Sequence, residues 1–155
     1  MTATAFDALA TDYDATFTDT SLGRRYRNAV WRRVDQRFST GQHVLEVNCG
    51  TGEDARHLAQ RGVGVIATDV SQAMVDLAAA KLEEFDHASA RQLAIEAVGG
   101  TFEPASFDGV LSNFGGLNCV DDLAAAAAGL AGVVRPGGLA LVCLMGPFVP
   151  WEIAW

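Results

Sequence analysis

Short apolar runs alternate along the chain with longer segments in which apolar residues recur every three or four positions. The short runs are typical of strands buried in a parallel sheet, and the longer segments are typical of helices with one buried face. Strands are predicted at residues 44–47, 62–69, 90–95, 107–114 and 139–145, and helices at 22–38, from 53 onward, at 71–85 and at 121–134. This alternation predicts an α/β fold with a doubly wound, mostly parallel sheet of about five strands and helices on both faces.

The composition is that of one globular domain. Half of the 155 residues are hydrophobic, 19% are charged and the mean hydropathy is +0.17, which is enough apolar material for a single core. No apolar run approaches the roughly 18 residues of a membrane-spanning helix, and the start, Met1 to Asp7, lacks the basic residues of a secretory signal. We therefore expect a soluble, cytoplasmic protein with no membrane segment.

The charge balance argues against general nucleic-acid binding, because the net charge is −8 and phosphate backbones require basic surface. One segment departs from this balance, since six arginines crowd residues 24–37. Apolar residues recur through the same segment every three or four positions, so we interpret it as an amphipathic helix with a solvated arginine face. A patch for RNA or an anionic substrate is the alternative.

The residues that most often carry metal or acid–base chemistry show no catalytic pattern. Cys49, Cys119 and Cys143 lack paired metal spacing and are interpreted as small buried residues in a reducing compartment, with no metal predicted. The three histidines, at positions 43, 57 and 87, are interpreted as structural or solvated. We therefore assign no catalytic residue from the sequence.

The most informative stretch is a strand that ends in a glycine turn and is followed by a helix. Gly50, Gly52 and Ala55 satisfy the G-x-G-x-x-G/A pattern of dinucleotide-binding sheets. However, Glu46 precedes the turn and two further acids begin the helix, where a pyrophosphate needs positive potential. A cationic ligand that carries an ammonium and a sulfonium fits these carboxylates better.

The passage Glu46-Val-Asn-Cys-Gly-Thr-Gly52 resembles motif I, Asp/Glu-x-Gly-x-Gly-x-Gly, of the class I S-adenosylmethionine-dependent methyltransferases. Asn48 replaces the first glycine of that motif, and asparagine is the non-glycine residue that best tolerates left-handed backbone. The resemblance implies a Rossmann-like sheet that binds S-adenosylmethionine and releases S-adenosylhomocysteine.

Three more passages resemble the family in the same order. They are Phe6-Asp-Ala-Leu-Ala-Thr-Asp-Tyr-Asp, then Phe107-Asp-Gly-Val and finally Arg135-Pro-Gly-Gly138, so the resemblance covers the chain from about Phe6 to Met145. It implies a single cofactor-binding domain over 1–155, with a lid and helix at 1–40, a Rossmann-like core at 41–145 and a truncated tail at 146–155. The Arg-Pro-Gly-Gly passage is predicted to be a turn before the fifth strand.

The cofactor-binding residues are predicted from the residues and the resemblance together. Asp69 ends the second predicted strand, where a carboxylate accepts both ribose hydroxyls of an adenosine. Ala94 stands where relatives place an acid for the adenine amino group, which leaves backbone groups or Glu96 for that contact. The full predicted set is Tyr13, Glu46, Asn48, Gly50, Gly52, Asp69, Val70, Met74, Ile95, Asn113 and Phe114.

Members of the resembling family continue with an antiparallel pair of strands beside strand five, so this chain is C-terminally truncated relative to the usual seven-stranded fold. Without those strands, residues 138–145 form an apolar edge that is a template for pairing. We expect another protein segment or a second copy to cover it.

The sequence therefore predicts S-adenosylmethionine-dependent methyl transfer to an unidentified, small-molecule acceptor. Sulfonium methyl groups are already activated, so alignment and exclusion of water supply most of the rate and a general base is optional. A nicotinamide-dependent oxidoreductase is one alternative, since Asp69 fits both cofactors equally. A non-catalytic binding subunit or fragment that needs a partner is the other.

Overall fold

The computed structural model describes residues 3–146, with side chains described from residue 6 onward. Six helices flank the strands, α1 at Ala3–Tyr13, α2 at Ser21–Val34, α3 at Glu53–Gln60, α4 at Gln72–Leu82, α5 at Val98–Thr101 and α6 at Leu123–Val133. The strands are β1 at His43–Val47, β2 at Gly64–Asp69, β3 at Ala88–Gln92, β4 at Phe107–Ser112 and β5 at Val134–Val142. The expected tail at 146–155 lies almost wholly outside the described residues.

The five strands form one sheet in the order β3-β2-β1-β4-β5, and every neighbouring pair is parallel. The winding direction reverses between β1 and β4, because the chain first builds outward to β3 and then returns to the other side of β1. The predicted α/β class and doubly wound sheet are confirmed. In such sheets, ligands bind beyond the carboxyl ends of the strands at this reversal.

Alternate residues of β1 face two separate apolar clusters. Val44 belongs to a cluster with residues from α2, α3 and α4, whereas Leu45 and Val47 belong to a cluster with residues from α5 and α6. Because successive side chains of a strand point to opposite faces, this alternation places helices on both sides of the sheet. It also places Glu46 on the same side as Val44, facing α2 and α3.

Three predicted strands end earlier than expected, and one of them is the fifth, which was predicted to reach Met145 but ends at Val142. The third strand was predicted at Ala90–Ile95, but β3 ends at Gln92 and Ile95 begins a 3₁₀ turn, because Ile95 packs into the cluster beneath α5 and α6. The fourth strand was predicted to reach Phe114, but β4 ends at Ser112. There the Asn113 side-chain oxygen accepts the N–H of Phe114 at 2.8 Å, and Phe114 adopts a φ of +50° that turns the chain away.

The Arg135–Gly138 turn was predicted to precede the fifth strand, but β5 already begins at Val134. Val134 pairs with Phe107 and Leu139 pairs with Gly109, so the passage 135–138 is an extra loop within the strand. The Arg135 guanidinium lies 2.7 Å from the Asp108 carboxylate and fixes the loop to β4.

The N-terminal segment is more regular than its sequence pattern indicated. It forms α1, followed by a π-helical turn at Asp14–Thr18. The Asp7 carboxylate accepts hydrogen bonds from the Ser71 hydroxyl and from the N–H of Ala73 at the start of α4. Tertiary contacts with α4 therefore hold α1 in place. Among residues 3–146, no helix is long and apolar enough to cross a membrane.

Candidate functional site

A cavity of about 320 Å³ opens beyond the carboxyl ends of β1, β2 and β4, where the winding direction reverses. Ten of the eleven residues predicted to bind a cofactor line this cavity: Tyr13, Glu46, Asn48, Gly50, Asp69, Val70, Met74, Ile95, Asn113 and Phe114. Gly52 does not line it. The structure therefore brings ten of the predicted residues together around one cavity.

The glycine turn after β1 depends on three residues with left-handed backbone. The φ angles are +56° at Asn48, +54° at Gly50 and +78° at Gly52. Asparagine occupies this region more readily than other side-chain-bearing residues, so the turn tolerates Asn48. Gly52 instead serves packing, because a Cβ built there would lie 2.7 Å from the Cβ of Ala78 on α4.

Asp69 at the end of β2 holds the same turn from the side. One carboxylate oxygen accepts the N–H of Gly50 at 2.9 Å, and the other accepts the N–H of Ser71 at 3.0 Å. Burial raises the pKa of Asp69, while these backbone hydrogen bonds act in the opposite direction. Asp69 also lines the cavity, so its carboxyl group lies where the predicted ribose contact requires it.

Two buried groups of opposite charge in the cavity have unused hydrogen-bonding capacity. Oε2 of Glu46 and Nε of Arg27 both lack a hydrogen-bond partner among the described residues. Glu46 is only 2% exposed and Arg27 is 6% exposed. Burial raises the pKa of Glu46 well above its usual value, and the nearby Asp54 carboxylate raises it further. Buried unpaired polar groups are rare in proteins and commonly mark a ligand position.

Asp54 in the first turn of α3 accepts three hydrogen bonds from side chains. Its Oδ1 accepts hydrogen bonds from Nη1 of Arg27 at 3.0 Å and from the indole N–H of Trp31 at 2.6 Å. Its Oδ2 accepts the amide Nδ2 of Asn113 at 2.8 Å. One buried carboxylate therefore orients residues from α2 and from the end of β4, and we call Asp54, Arg27, Trp31 and Asn113 the aspartate hub.

The interpretation of the arginine segment as a solvated face is wrong for Arg27. Its guanidinium lies 4.7 Å from the centre of the Phe114 ring, and Nη2 donates to the Thr18 hydroxyl at 3.3 Å. The other arginines of α2 are exposed, as expected. A signal for the exception was present in the sequence, because Arg27 falls on the helix face that carries Gly23 and Val34, both of which are buried.

Residues 6–18 cover the cavity, and we call them the lid. Phe6 and Tyr13 line the cavity, and the Tyr13 ring lies 5.7 Å from that of Phe17. Asp14 accepts hydrogen bonds from the Thr51 hydroxyl and from Nζ of Lys81, each at 2.6 Å. Burial alone raises the pKa of Asp14, but the bonds from Lys81 and Thr51 outweigh it and hold the pKa below its usual value. The lid is thus anchored to the glycine turn and to α4.

Sequence reasoning missed several cavity residues, because some come from loops without a periodic pattern and others, such as Arg27 and Asp54, reach the cavity only through helix packing. They are Phe6, Arg27, Cys49, Thr51, Asp54, Ala94, Glu96, Gly115, Gly116, Cys119, Val120, Asp121 and Met145, of which Ala94 and Glu96 had been considered only for adenine. No sequence pattern indicated the role of Gly116. The structure shows that this residue packs closely against the glycine turn, since a Cβ there would lie 2.4 Å from the Cβ of Asn48. Across the described part of the chain, no group of three or more histidine, cysteine or acidic residues is placed to hold a metal ion.

Fold and cavity together define a nucleotide-binding α/β domain of the Rossmann-like type. The methyltransferase domain family matches residues 44–138, which is more than half of the chain. The chain belongs to this family. The resemblance found in the sequence is therefore confirmed, as is S-adenosylmethionine as the cofactor of the family, in preference to the nicotinamide alternative.

Two curated relatives of the chain are demethylmenaquinone methyltransferases. It is 36% identical over 144 residues to a demethylmenaquinone methyltransferase of Mycobacterium tuberculosis, covering 91% of this chain and 57% of that protein. It is 32% identical over 151 residues to a demethylmenaquinone methyltransferase of Corynebacterium urealyticum, covering 96% of this chain and 61% of that protein. The chain thus spans about three fifths of these curated relatives.

One solved structure shows the same fold over nearly the whole chain. It is the Haemonchus contortus phosphoethanolamine N-methyltransferase 2 in complex with S-adenosyl-L-methionine. The TM-score is 0.77 at 22% sequence identity, and the match covers 96% of this chain and 36% of the other. At this identity the likeness concerns the fold alone.

Proposed function

We propose that this chain binds S-adenosylmethionine with the amino-acid end of the cofactor between Glu46 and Arg27. The observation that carries the proposal is that Glu46 and Arg27 both line the cavity, and that each has a buried atom without a hydrogen-bond partner among the described residues, Oε2 of Glu46 and Nε of Arg27. An α-amino acid has an ammonium and a carboxylate on adjacent carbons, which matches an acceptor and a donor of opposite charge. A pyrophosphate has no cationic group that would pair with the ionised Glu46 carboxylate.

The adenosine end is proposed to occupy the side of the cavity formed by β2, the start of α4 and the 3₁₀ turn at Ile95–Ala97. Asp69 would accept the ribose hydroxyls, and Met74 and Ile95 would pack on the purine. Tyr13 would close the lid over the methionine portion. These roles extend the predicted residue set, and Arg27, Thr51 and Asp54 are added to it.

The proposed reaction is transfer of the activated methyl group to a small-molecule acceptor. When bound, S-adenosylmethionine would supply a methyl group already activated by its sulfonium, and it would leave as the neutral thioether S-adenosylhomocysteine. The described residues contribute alignment and exclusion of water, through the aromatic side chains of Phe6, Tyr13 and Phe114 around the cavity. The names of the relatives suggest an apolar acceptor of the demethylmenaquinone type, and this lining suits such a ring.

Calorimetric titration of the purified chain tests cofactor identity. We expect S-adenosylhomocysteine to bind and NADH to give no heat of binding. We also expect proton release on binding, because Glu46 has a raised pKa and must ionise to pair with an ammonium. The observed heat should therefore depend on the ionisation enthalpy of the buffer, and the affinity should increase as the pH rises toward the pKa of free Glu46.

A matched variant separates the two parts of this prediction. Glu46→Gln keeps the size of the side chain and removes its charge, so it should abolish the proton release and weaken binding by about tenfold. Binding of NADH in preference to S-adenosylhomocysteine would contradict the proposed cofactor. Unchanged proton release in Glu46→Gln would show that another group titrates.

We further propose that other polypeptide covers the outer edge of β5. Val142 is 45% exposed, and beyond it Leu144 and Met145 are more than half exposed. Within residues 3–146, β5 pairs with β4 alone, so its other row of backbone groups is unpaired. Another protein segment or a second copy of the chain would satisfy these groups. If the covering segment comes from a partner, the chain would be a binding subunit that needs this partner for activity.

Sedimentation and hydrogen exchange test the covered edge. We expect the chain to self-associate, or to associate with a longer chain or partner that restores methyl transfer, with slow amide exchange along residues 139–142. A monodisperse monomer with fast exchange throughout this strand would contradict the proposal.

The free state of Cys49, Cys119 and Cys143 supports a reducing compartment, and on this ground we propose a cytoplasmic location.

A further inference from the structure

Trp31 lies outside the cavity, yet its indole N–H makes the shorter of the two hydrogen bonds to Oδ1 of Asp54. The other bond to that oxygen comes from Arg27, whose Nε has no partner among the described residues and is proposed to bind the cofactor carboxylate. We propose that Trp31 is a positioning residue that sets the affinity for the amino-acid end of the cofactor by fixing the Asp54 carboxylate. This inference rests on the proposed function and goes beyond it.

The first step of the argument is the geometry at Asp54. With both donors on Oδ1 and Asn113 on Oδ2, the plane of the carboxylate is determined from two sides. Loss of the indole N–H removes one of three hydrogen bonds, so Oδ1 keeps Arg27 alone and the carboxylate can tilt further about its Cβ–Cγ bond while Asn113 still holds Oδ2. Because the guanidinium is planar and its donors are fixed in direction, it moves with the carboxylate. The Nε of Arg27 is then held less accurately in the position proposed to bind the cofactor carboxylate.

The second step concerns what holds Trp31 itself. Its ring stacks on the His57 ring, with centroids 4.1 Å apart and planes at 4°. His57 is in turn held by Asp35, whose Oδ1 lies 2.8 Å from Nε2. His57 and Asp54 are both on α3, three residues apart, so they lie on the same face. Trp31 therefore joins α2 to α3 through its ring and through its N–H, and the donor direction is fixed.

The third step predicts which part of the cofactor responds. The proposed adenosine contacts at Asp69, Met74 and Ile95 make no hydrogen bond to the aspartate hub within the described structure. Asp69 is held by backbone groups of the glycine turn and of α4 instead. A defect in the hub should therefore weaken ligands that carry the amino-acid tail and spare those that lack it.

The experiment compares two probes on the Trp31→Phe variant. Phenylalanine keeps an aromatic ring on His57 and removes the N–H. We expect the Kd for S-adenosylhomocysteine to rise about five- to tenfold, as for loss of one hydrogen bond to a charged group. The Kd for 5′-methylthioadenosine, which has no amino-acid tail, should change less than about twofold.

The matched control is Thr20→Val, which removes the N-cap hydrogen bond from Gly23 to the Thr20 hydroxyl at the start of the same helix. It should lower stability as N-cap loss does, without changing the ratio of the two dissociation constants. Equal weakening of both probes by Trp31→Phe, or no weakening of either, would overturn the proposal. Failure of the unchanged chain to bind S-adenosylhomocysteine would instead refute the proposed function.

A second measurement applies if Trp31→Phe does not fold. The chain has three tryptophans, so Trp151→Phe with Trp155→Phe leaves Trp31 as the one indole emitter. We expect S-adenosylhomocysteine to change the Trp31 emission and 5′-methylthioadenosine to leave it unchanged, because only the former engages Arg27. The same response to both probes would overturn the proposal.

Discussion

Asp54→Ala is expected to lower the free energy of unfolding by about 3 to 5 kcal/mol. The reason is that Arg27 would remain buried without its carboxylate, since the two side chains are 8% and 4% exposed and their charged atoms lie 3.0 Å apart. The Trp31 N–H and the Asn113 amide would lose their acceptor as well. Denaturant unfolding followed by circular dichroism measures the change, and the melting temperature should fall by about 10 °C.

An exposed ion pair at the start of α2 offers a matched control for this prediction. Asp19 pairs with Arg24 at 2.6 Å, but these side chains are 57% and 64% exposed, so Asp19→Ala should cost no more than about 1 kcal/mol. A double variant, Arg27→Met with Asp54→Leu, removes both charges and should recover part of the lost stability. An Asp54→Ala loss as small as that of Asp19→Ala would show that the buried pair is not a major contributor.

Gly52→Ala is expected to cost about 2 to 5 kcal/mol of unfolding free energy. Two effects add. Gly52 has a φ of +78°, which is unfavourable for alanine, and the new Cβ would lie 2.7 Å from Cβ and 2.8 Å from Cα of Ala78. Because one contact is a backbone atom, relief requires α3 and α4 to move apart. Chemical denaturation of the purified variant measures this cost.

Gly50→Ala is the natural comparison for Gly52→Ala. Gly50 has a similar φ of +54°, but a Cβ there meets nothing within 4 Å. It should therefore cost only the backbone term, about 1 to 2 kcal/mol. Since Gly50 lines the cavity and Gly52 does not, Gly50→Ala should weaken S-adenosylhomocysteine more than its small loss of stability suggests. Equal stability of the two variants would contradict the packing role of Gly52.

Much of the fold was predictable because its signals are local. The runs in β1, β2 and β4 are apolar and short, and Val44 and Leu45 belong to opposite clusters as the strand period requires. The misplaced bounds have tertiary causes. Ile95 left the predicted third strand because it packs beneath α5 and α6, and the loop at 135–138 lies within β5 because Val134 already pairs with Phe107.

The site was predictable to the extent that each residue lies at the end of a strand. Glu46, Asp69 and Asn113 follow this rule, and the parallel sheet brings them to one edge. The aspartate hub was not predictable in this way, because Arg27 and Asp54 are 27 positions apart and meet only through the packing of α2 on α3.

The anchoring of the lid also bears on how the protein works through repeated cycles. Phe6 and Tyr13 lie over the cavity, while Asp7 and Asp14 tie the same segment to Ser71, Thr51 and Lys81. If the cavity holds the cofactor as proposed, exchange of spent for fresh cofactor is expected to require these polar contacts to break and re-form. Such opening, rather than the chemical step, is expected to limit the rate, and because the Asp14–Lys81 contact is ionic, added salt should shorten the residence time of the product.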